Sequence, residues 1–494
     1  MSRRAWSLAC LGLLPLWTSA AAAQGPWPEG SLSAPVEAAA TGRVGAAGKV
    51  SALQLQGADT LPCPQCDPRK QFWPGLAAVA VAQAIPTIVS KAINHEEWAY
   101  VNWQTIKNNF VYPWQWDDNA FLNNQFAHPY QGGLYYNAGR VNGYDFWASG
   151  LWAAGGSLMW EYFLEAWAPA PNDFINTTLG GVILGEALYR ASRLPLDNTA
   201  TGAGRTWREI GSLVLNPVSG VTRAIRGEWG EVSANPPDWR PSAVLGVLDV
   251  GYRNITQSVP GSTDQRGETQ LNATFLLSYG NPVQDLHGTP FSYFAIRADL
   301  AGPSEGSVLN QLTARGSLAA WPIDGSRHNQ LALFLEYDYF DNPAFTYGGT
   351  GAQGGLVTSF GAPGNTWWGQ TQILVNGVIL GAVQSDYYAA VEGRNYDYGP
   401  GLGTLLSGRV LYKDRLQATV GYTGLSLFTV DGAESTHYQD ATLLELRYWT
   451  SRRIALGTSY ISYSRQSEYE GLPGVEHFAS FVRIFLSSAF PRLP

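Results

Sequence analysis

The chain has 494 residues, 31 of them Lys or Arg and 39 Asp or Glu, and only 14% of the residues are charged. An apolar fraction of 45% with a net charge of −8 excludes a disordered chain. The acidic balance also argues against a nucleic-acid binder, which concentrates positive charge. With 55 Gly, 13% aromatic residues and no apolar run near the ~20 residues of a spanning helix beyond the N-terminus, the composition is typical of a transmembrane β-barrel.

Residues 1–23 have the organisation of a secretory signal peptide. Arg3 and Arg4 form a basic start, an apolar stretch runs from Ala5 to Trp17, and small residues precede a cleavage site after Ala23. The sequence therefore predicts export into a compartment in which disulfides can form.

Residues 24–74 are rich in Ala, Gly and Pro without periodicity, which predicts a linker of low order. It contains Cys63 and Cys66 in a C-P-Q-C sequence, for which two interpretations exist: a redox dithiol or a short disulfide staple. A redox dithiol should begin a helix within a βαβ unit. No such pattern surrounds these cysteines, so the staple is favoured, and a zinc site lacks a second ligand pair.

Residues 75–235 predict an α-helical domain. The predicted helices include Leu76–Ile93, Tyr144–Trp167 and Asp173–Ser192. Pro86 predicts a break or kink in the first helix, and Asn172 or Asp173 is expected to cap the start of the third. Gly181 and Gly185 have the small-xxx-small spacing that lets helix backbones approach closely.

From residue 240 to 494 the hydrophobic period changes to two, which predicts an antiparallel transmembrane β-barrel of about twelve strands. The predicted strands are Ser242–Gln257, Glu268–Tyr279, Phe291–Leu300, Val308–Ala320, Asn329–Phe340, Gly355–Phe360, Trp368–Leu380, Gly403–Tyr412, Leu416–Phe428, Ala441–Thr450, Ile454–Tyr463 and His477–Leu486. The fold class is thus an α+β membrane protein with helices first and a barrel second. A soluble all-β sandwich is the alternative, because it also alternates.

In the third, fifth, tenth and twelfth predicted strands one face is apolar and the other carries charges. The residues predicted to line the lumen are Arg297, Asp299, Glu336, Asp338, Glu445, Arg447 and Arg483. Two interpretations stay open for them: they select solutes, or they neutralise one another and fill a narrow interior. The last strand ends near Phe490, which resembles the terminal aromatic signal read by the barrel-assembly machinery, although four residues follow it.

The helical domain contains polar residues on otherwise apolar helices. The candidate cluster is His128, Arg140, Glu161, Glu165, Asp173, Asn176 and Glu186. Buried carboxylates must be paired, hydrogen-bonded or neutral. The cluster therefore predicts either an acid–base or metal site made by His128, Glu161, Glu165 and Asp173, or a structural network that fixes helix register. The absence of a nucleophile, metal-spacing or phosphate-loop motif favours the network.

Five motifs in order carry a family resemblance: H-P-x-x-G from His128, R-x-x-G from Arg140, W-E-Y-x-x-E from Trp160, D-x-x-N-T-x-x-G-G-x-x-x-G-E from Asp173 and N-P-x-x-G-x-x-R from Asn216. Together they resemble the bacterial domain-of-unknown-function family 3943. The resemblance implies an envelope protein with a helical module before a β-barrel, and it assigns no activity. A looser likeness connects the helices to the VanZ and YfiM-type membrane families.

These observations predict an outer-membrane protein in contact with membrane lipids. The first hypothesis is a structural or transport-associated barrel, for a small solute or a lipid, whose helical domain, periplasmic or apposed to the membrane, plugs or caps the barrel mouth. The alternative is an envelope-lipid-modifying enzyme that uses the carboxylates and His128 of the helical domain. Neither hypothesis calls for a cofactor or a metal.

Overall fold

A computed structural model describes residues 61–258, 265–302, 307–325, 328–342, 345–362 and 364–490. The predicted signal peptide and most of the predicted linker lie outside the described residues. Cys63 and Cys66, at the start of the described chain, form a disulfide. Helices follow as far as Trp239, and strands begin at Val244.

The helical region contains eight α-helices, joined in places by π-helical turns, within the described residues. They are α1 (Phe72–Val89, extended by the π-turn Ser90–Asn94), α2 (Trp103–Val111), α3 (His128–Arg140, preceded by the π-turn Asn123–Ala127), α4 (Phe146–Phe163), α5 (Pro171–Ile175, followed by the π-turn Asn176–Gly180), α6 (Gly181–Ala191), α7 (Gly202–Leu215) and α8 (Pro217–Ile225). Short 3₁₀ turns lie at Glu97–Ala99, Pro237–Trp239 and Asp285–His287.

The predicted helices are present, with two differences. Pro86 lies inside α1 and does not break it; Val79 and Ala82, one turn earlier, are buried and hold the helix in place. The third helix begins at Pro171, whose fixed φ suits a first helical position, so neither Asn172 nor Asp173 is its N-cap.

Small residues set the distance between α3 and the segment from α5 to α6. A Cβ atom on Gly132 would overlap the carbonyl oxygen of Thr177, and one on Gly181 would overlap the backbone of Gly132. Gly185 lies against the ring of Tyr136 in the same way. The predicted small-residue contact face is thus the place where these two helices meet.

Twelve antiparallel strands form a closed barrel in which each strand pairs with the next and β1 pairs with β12. They are β1 (Val244–Ser258), β2 (Gln265–Tyr279), β3 (Phe294–Ala301), β4 (Leu309–Pro322), β5 (Asn329–Asp341), β6 (Thr346–Phe360), β7 (Trp367–Gln384), β8 (Tyr396–Tyr412), β9 (Leu416–Phe428), β10 (Ser435–Trp449), β11 (Ile454–Tyr469) and β12 (Val475–Phe490).

The strand count matches the predicted twelve, and the largest boundary difference is in β6. This strand begins at Thr346, nine residues before the predicted Gly355. The missed part is T-Y-G-G-T-G-A-Q-G, whose glycines carry no side chains and so hide the alternation. We call the end at which β1 begins and β12 ends the proximal end, and the opposite end the distal end.

Side chains alternate as predicted between an apolar exterior and a polar lumen. On β12, Val482, Ile484 and Leu486 point outward and are exposed, and the side chain of Ile484 is 70% exposed. Arg483, between them, is buried inside the barrel and donates a hydrogen bond to Thr274 of β2.

The helical region packs against the outer wall of the barrel. Tyr337 and Tyr339 belong to the outward face of β5 and are nevertheless buried, because the helical region covers them. The Tyr337 hydroxyl donates to the Gln125 carbonyl oxygen, and Phe126 contacts the Tyr339 ring. The predicted helical plug or cap is therefore wrong for the described helices. They bury an apolar face against the apolar outer wall of the barrel instead of entering its polar lumen.

We expect Gly132→Ala to lower the stability of the helical region by about 1–3 kcal/mol, because the added methyl group forces α3 away from α6. The measurement is the thermal midpoint of the detergent-solubilised protein, followed by circular dichroism at the helical minimum.

The matched control is Gly155→Ala on α4, where a Cβ atom meets nothing within 4 Å. Alanine favours helix over glycine, so this variant should keep or raise the midpoint. An equal loss in both variants would contradict the proposed close approach.

Candidate functional site

The seven residues predicted for the lumen all face inward, and they form part of a mixed-charge belt. Arg253 donates to Asp299 at 3.1 Å, and Arg447 bridges Glu445 at 3.1 Å and Asp249 at 3.3 Å. The two signs therefore neutralise each other in this part of the lumen, between the non-adjacent strands β1 and β3 and β10 and β1, and within β10. Arg253 and Asp249 were missed, although each alternates with apolar residues in β1.

A cavity of about 200 Å³ opens in the lumen beside this belt. Its charged lining includes Arg297, Arg315, Glu336, Asp338 and Arg409. The β7 amides of Gln370, Gln372 and Asn376 lie beside them, and apolar side chains such as Phe340, Leu405 and Ile461 form most of the accessible lining. Arginines and carboxylates thus share one space inside the lumen.

The proximal mouth is filled by the loop between β2 and β3, residues 280–293. Leu286 and Tyr293 of this loop are buried in a cluster with Phe334 and other inward-facing apolar residues. The Gln330 side chain donates to the Val283 carbonyl oxygen at 2.9 Å. A loop therefore occupies the position that the sequence analysis assigned to the helical domain.

Four members of the candidate polar cluster meet near the distal end. His128 lies 3.7 Å from Asp173 and 3.2 Å from the Thr177 hydroxyl. The Glu161 carboxylate accepts from the Ala170 backbone amide at 2.9 Å. Glu165 accepts from the Trp160 indole at 3.1 Å. Each of these groups is thus held by a specific neighbour.

Glu165 lies in the loop after α4. Burial raises the pKa of its carboxyl well above the usual range, and the nearby carboxylates of Glu161 and Asp117 raise it further. The raised pKa favours the protonated, neutral form of this carboxyl.

Sequence analysis missed the amides and phenols that join this distal cluster to the barrel. Asn172 donates to Asp173 at 2.8 Å and to the Tyr398 hydroxyl of β8 at 3.2 Å. Asn124 donates to Asp117 and to the Tyr396 hydroxyl, both at 2.9 Å. Asn176 from the candidate cluster donates to the Asn124 carbonyl oxygen. Because these partners lie far apart in sequence, no local pattern connects them.

Arg140 and Glu186 form a separate cluster near the proximal end. The buried Glu186 carboxylate accepts from Arg140 at 2.8 Å, from Arg190 at 2.7 Å and from the Tyr136 hydroxyl at 2.8 Å. Arg190 also donates to the Pro290 carbonyl oxygen in the loop between β2 and β3. The structure therefore divides the candidate cluster into two networks at opposite ends of the helices.

A third network, also missed, joins α7 and α8. Glu209 is fully buried and accepts from Arg205 at 2.8 Å and from Arg223 at 2.6 Å. Arg205 and Glu209 are four residues apart, which is a signal for a helical pair that sequence analysis had available. Among the residues the structure describes, no group of three or more His, Cys, Asp or Glu is arranged to hold a metal ion.

Comparison with known proteins connects the helical region to one family. Residues 113–218 match the model of the family described as "Domain of unknown function (DUF3943)", as the motifs of the sequence predicted. No curated protein matches the chain.

Solved structures similar to about half of the chain are outer-membrane channels. One is the NanC porin, with 11% identity over 48% of this chain and 98% of that chain, and a TM-score of 0.28. Another is an outer membrane channel from Pseudomonas putida F1, with 10% identity over 52% and 100%, and a TM-score of 0.29. The assignment of the barrel itself depends on the strand pairing described above.

We expect Glu186→Gln to destabilise the helical region by about 3–5 kcal/mol, because it leaves two buried guanidinium groups without their carboxylate. The thermal midpoint in detergent measures this loss.

Asp238→Asn is the matched control, because Asp238 is 73% exposed and lies 3.8 Å from Arg193. Solvent screening limits this pair to about 1 kcal/mol or less. Similar midpoints for the two variants would argue that Glu186 is not a structural centre.

Proposed function

We propose that the protein is an outer-membrane channel for small polar solutes, gated at its proximal mouth by the loop of residues 280–293. The observation that carries the proposal is a closed barrel with an apolar, exposed exterior and a charged, cavity-containing lumen. A soluble barrel has no physical reason to expose leucine and isoleucine around its outer wall.

The exterior of the barrel has an apolar band between two belts of aromatic residues, as a bilayer requires. Exposed outward aromatic residues lie near the proximal end at Trp321, Trp367, Tyr448 and Phe490, and near the distal end at Phe428, Tyr438 and Phe478. Exposed aliphatic residues lie between them, including Leu444, Leu446, Val482 and Ile484. Aromatic girdles around an apolar band are typical of transmembrane barrels. With the predicted signal peptide, this favours the outer membrane, and Phe490 fits the predicted role in assembly.

The lumen supports passage of solutes that carry both polar and charged groups. Arg297, Arg315 and Arg409 line the cavity from three strands, with Glu336 and Asp338 on a fourth. A surface of both signs replaces the hydration of ions and polar molecules and repels neither sign outright.

The loop of residues 280–293 supports the gating part of the proposal. Its apolar residues, Leu286 and Tyr293, bury themselves against the inward face of the proximal strands. A displaced loop would open a path between the cavity and the proximal side. Loops of this kind occur in transmembrane barrels whose lumen is plugged.

The polar clusters of the helical region are proposed to be structural. The carboxylates of Glu161 and Glu165 and the ring of His128 are engaged by neighbouring groups of the same bundle. A catalytic acid or base must instead reach a substrate proton. This favours a network that fixes helix register over the lipid-modifying enzyme.

The first experiment is gel migration with and without boiling, followed by reconstitution into planar bilayers. A folded barrel should migrate faster before boiling, and the reconstituted protein should conduct ions. A protein that partitions into water without detergent, or that never conducts even after removal of the gating loop, would contradict the proposal.

We expect the double variant Glu336→Gln with Asp338→Asn to shift the lumen toward anion permeation. The two substitutions remove negative charge from a cavity that keeps Arg297, Arg315 and Arg409. The reversal potential in a salt gradient across a planar bilayer measures the shift.

Glu468→Gln is the control for this variant, because Glu468 lies exposed on the outward side of β11. It should leave the reversal potential unchanged. A double variant with the reversal potential of the unmodified protein would contradict a permeation path through the cavity.

We expect Leu286→Ala to increase the open time or the conductance, because it removes an apolar side chain that anchors the loop in the proximal mouth. Deletion of residues 282–287 should act in the same direction and more strongly. Single-channel recording measures both variants.

Leu472→Ala is the matched control, since Leu472 is exposed in the loop between β11 and β12 at the distal end. Recordings in which the Leu286 and Leu472 variants behave alike would show that the loop does not gate the channel.

A further inference from the structure

We infer that four long helical segments of the helical region form a bundle that is embedded in the hydrocarbon of the bilayer. The bundle is attached to the outer wall of the barrel. The partner of its exposed surface is lipid acyl chains. The inference rests on the proposed membrane location of the barrel and goes beyond it, because it assigns a second, helical membrane-spanning element to the same chain.

The bundle covers part of the barrel wall that would otherwise face lipid. Outward residues of β2 to β8 are buried by helices, among them Leu277, Phe294, Ala314, Leu335, Tyr337, Leu380 and Tyr398. Ile183, Leu184 and Ala187 of α6 supply much of the opposite surface. The covered wall continues on both sides into exposed apolar wall, so the bundle lies at the same depth as the apolar band.

The bundle extends from one end of the barrel to the other. At the proximal end Arg190 donates to the Pro290 carbonyl oxygen, which belongs to the loop between β2 and β3. At the distal end Asn172 of α5 donates to the hydroxyl of Tyr398, near the start of β8, at 3.2 Å. Helices attached at both ends of a transmembrane barrel must pass through the same thickness of bilayer.

The helix lengths fit that thickness. The four long segments are Phe72–Asn94, Asn123–Arg140, Phe146–Phe163 and Pro171–Ala191. At 1.5 Å per residue they measure about 27–34 Å, close to the roughly 30 Å of the hydrocarbon core. Among the described residues, Phe72–Asn94 is the one helix long and apolar enough to cross a membrane by length and composition, and most of it is not buried.

Charges are confined to the ends of these segments. Residues 72–90, 129–139, 146–160 and 174–185 contain no Asp, Glu, Lys, Arg or His. Arg140, Glu186 and Arg190 lie at the proximal end of the bundle, whereas Glu161 and Asp173 lie at the distal end. This distribution keeps the costly groups near the two interfaces or in buried pairs.

The face turned away from the barrel is apolar and exposed. Leu151 of α4 is 74% exposed, and Ile85 and Ile88 of α1 are 47% and 62% exposed. Exposed aromatic residues flank this face at Phe72, Trp73 and Trp147 on the proximal side and at Trp103, Phe110 and Trp114 on the distal side. Tryptophan and tyrosine favour the two membrane–water interfaces. If the bundle lay in water, this large apolar face would be exposed to solvent, which is unfavourable.

The test places spin labels on the full-length protein in lipid vesicles, with gel migration before boiling as the check of folding. The helix sites are Leu151→Cys and Ile85→Cys. Ile484→Cys marks the barrel exterior, and Arg452→Cys, exposed in the turn between β10 and β11, marks water. Collision rates with oxygen, which concentrates in lipid, and with a water-soluble nickel chelate report the surroundings of each label.

We expect the ratio of nickel to oxygen collisions at the two helix sites to be several-fold lower than at the Arg452 site and close to that at the Ile484 site. A lipid-like ratio at the Ile484 site with water-like ratios at both helix sites overturns the inference and leaves the channel proposal standing. Water-like ratios at the Ile484 site as well overturn both.

Discussion

Hydrocarbon offers no hydrogen-bond partner to a peptide group, and the architecture of this protein follows from that constraint. A sheet with an open edge would leave a row of unpaired amides in lipid, so β1 pairs with β12 and the cylinder closes. Closure then assigns every strand residue to one of two environments. The outward face becomes apolar, and the charges, which lipid would not accept, collect in the lumen.

The lumen of this twelve-stranded barrel combines neutralised, closely packed charges with an open cavity. Ion pairs such as those of Arg447 with Asp249 and Glu445 cancel charge in one part of the interior. The cavity beside them keeps both signs within reach of water. At the proximal mouth, Leu286 and Tyr293 exclude water by packing on apolar residues of the strands. A loop that is held by apolar contacts at a polar lumen is suited to movement.

In the helices, the backbone groups between the two ends pair within each segment. The charged side chains of the bundle lie at its two ends, where polar groups also connect it to the barrel. Arg190 joins Glu186 to the loop between β2 and β3, and Asn172 joins Asp173 to Tyr398 of β8. In the interior of the bundle, glycines such as Gly132 and Gly181 let the helix backbones pack closely against each other.

The sequence by itself determined the order of helices before strands, the number of strands and the outward and inward faces of the strands in which charges alternate with apolar residues. The physical reason is that the alternation of apolar and polar residues with a period of two is a local property of each strand. The apolar face of that alternation is the one expected on the exterior. It also placed Glu161, Asp173 and Gly181 on helices, and its motifs identified the family that residues 113–218 match.

Only the tertiary structure decided where the helical region lies, which loop fills the barrel mouth and how the candidate polar residues divide into two networks. These outcomes depend on contacts between distant segments, such as Gln125 with Tyr398 or Arg190 with Pro290. An apolar helix face carries the same pattern whether it packs on a barrel wall, on another helix or in lipid. The surface it meets is therefore not encoded in its periodicity, and the folded chain alone supplies it.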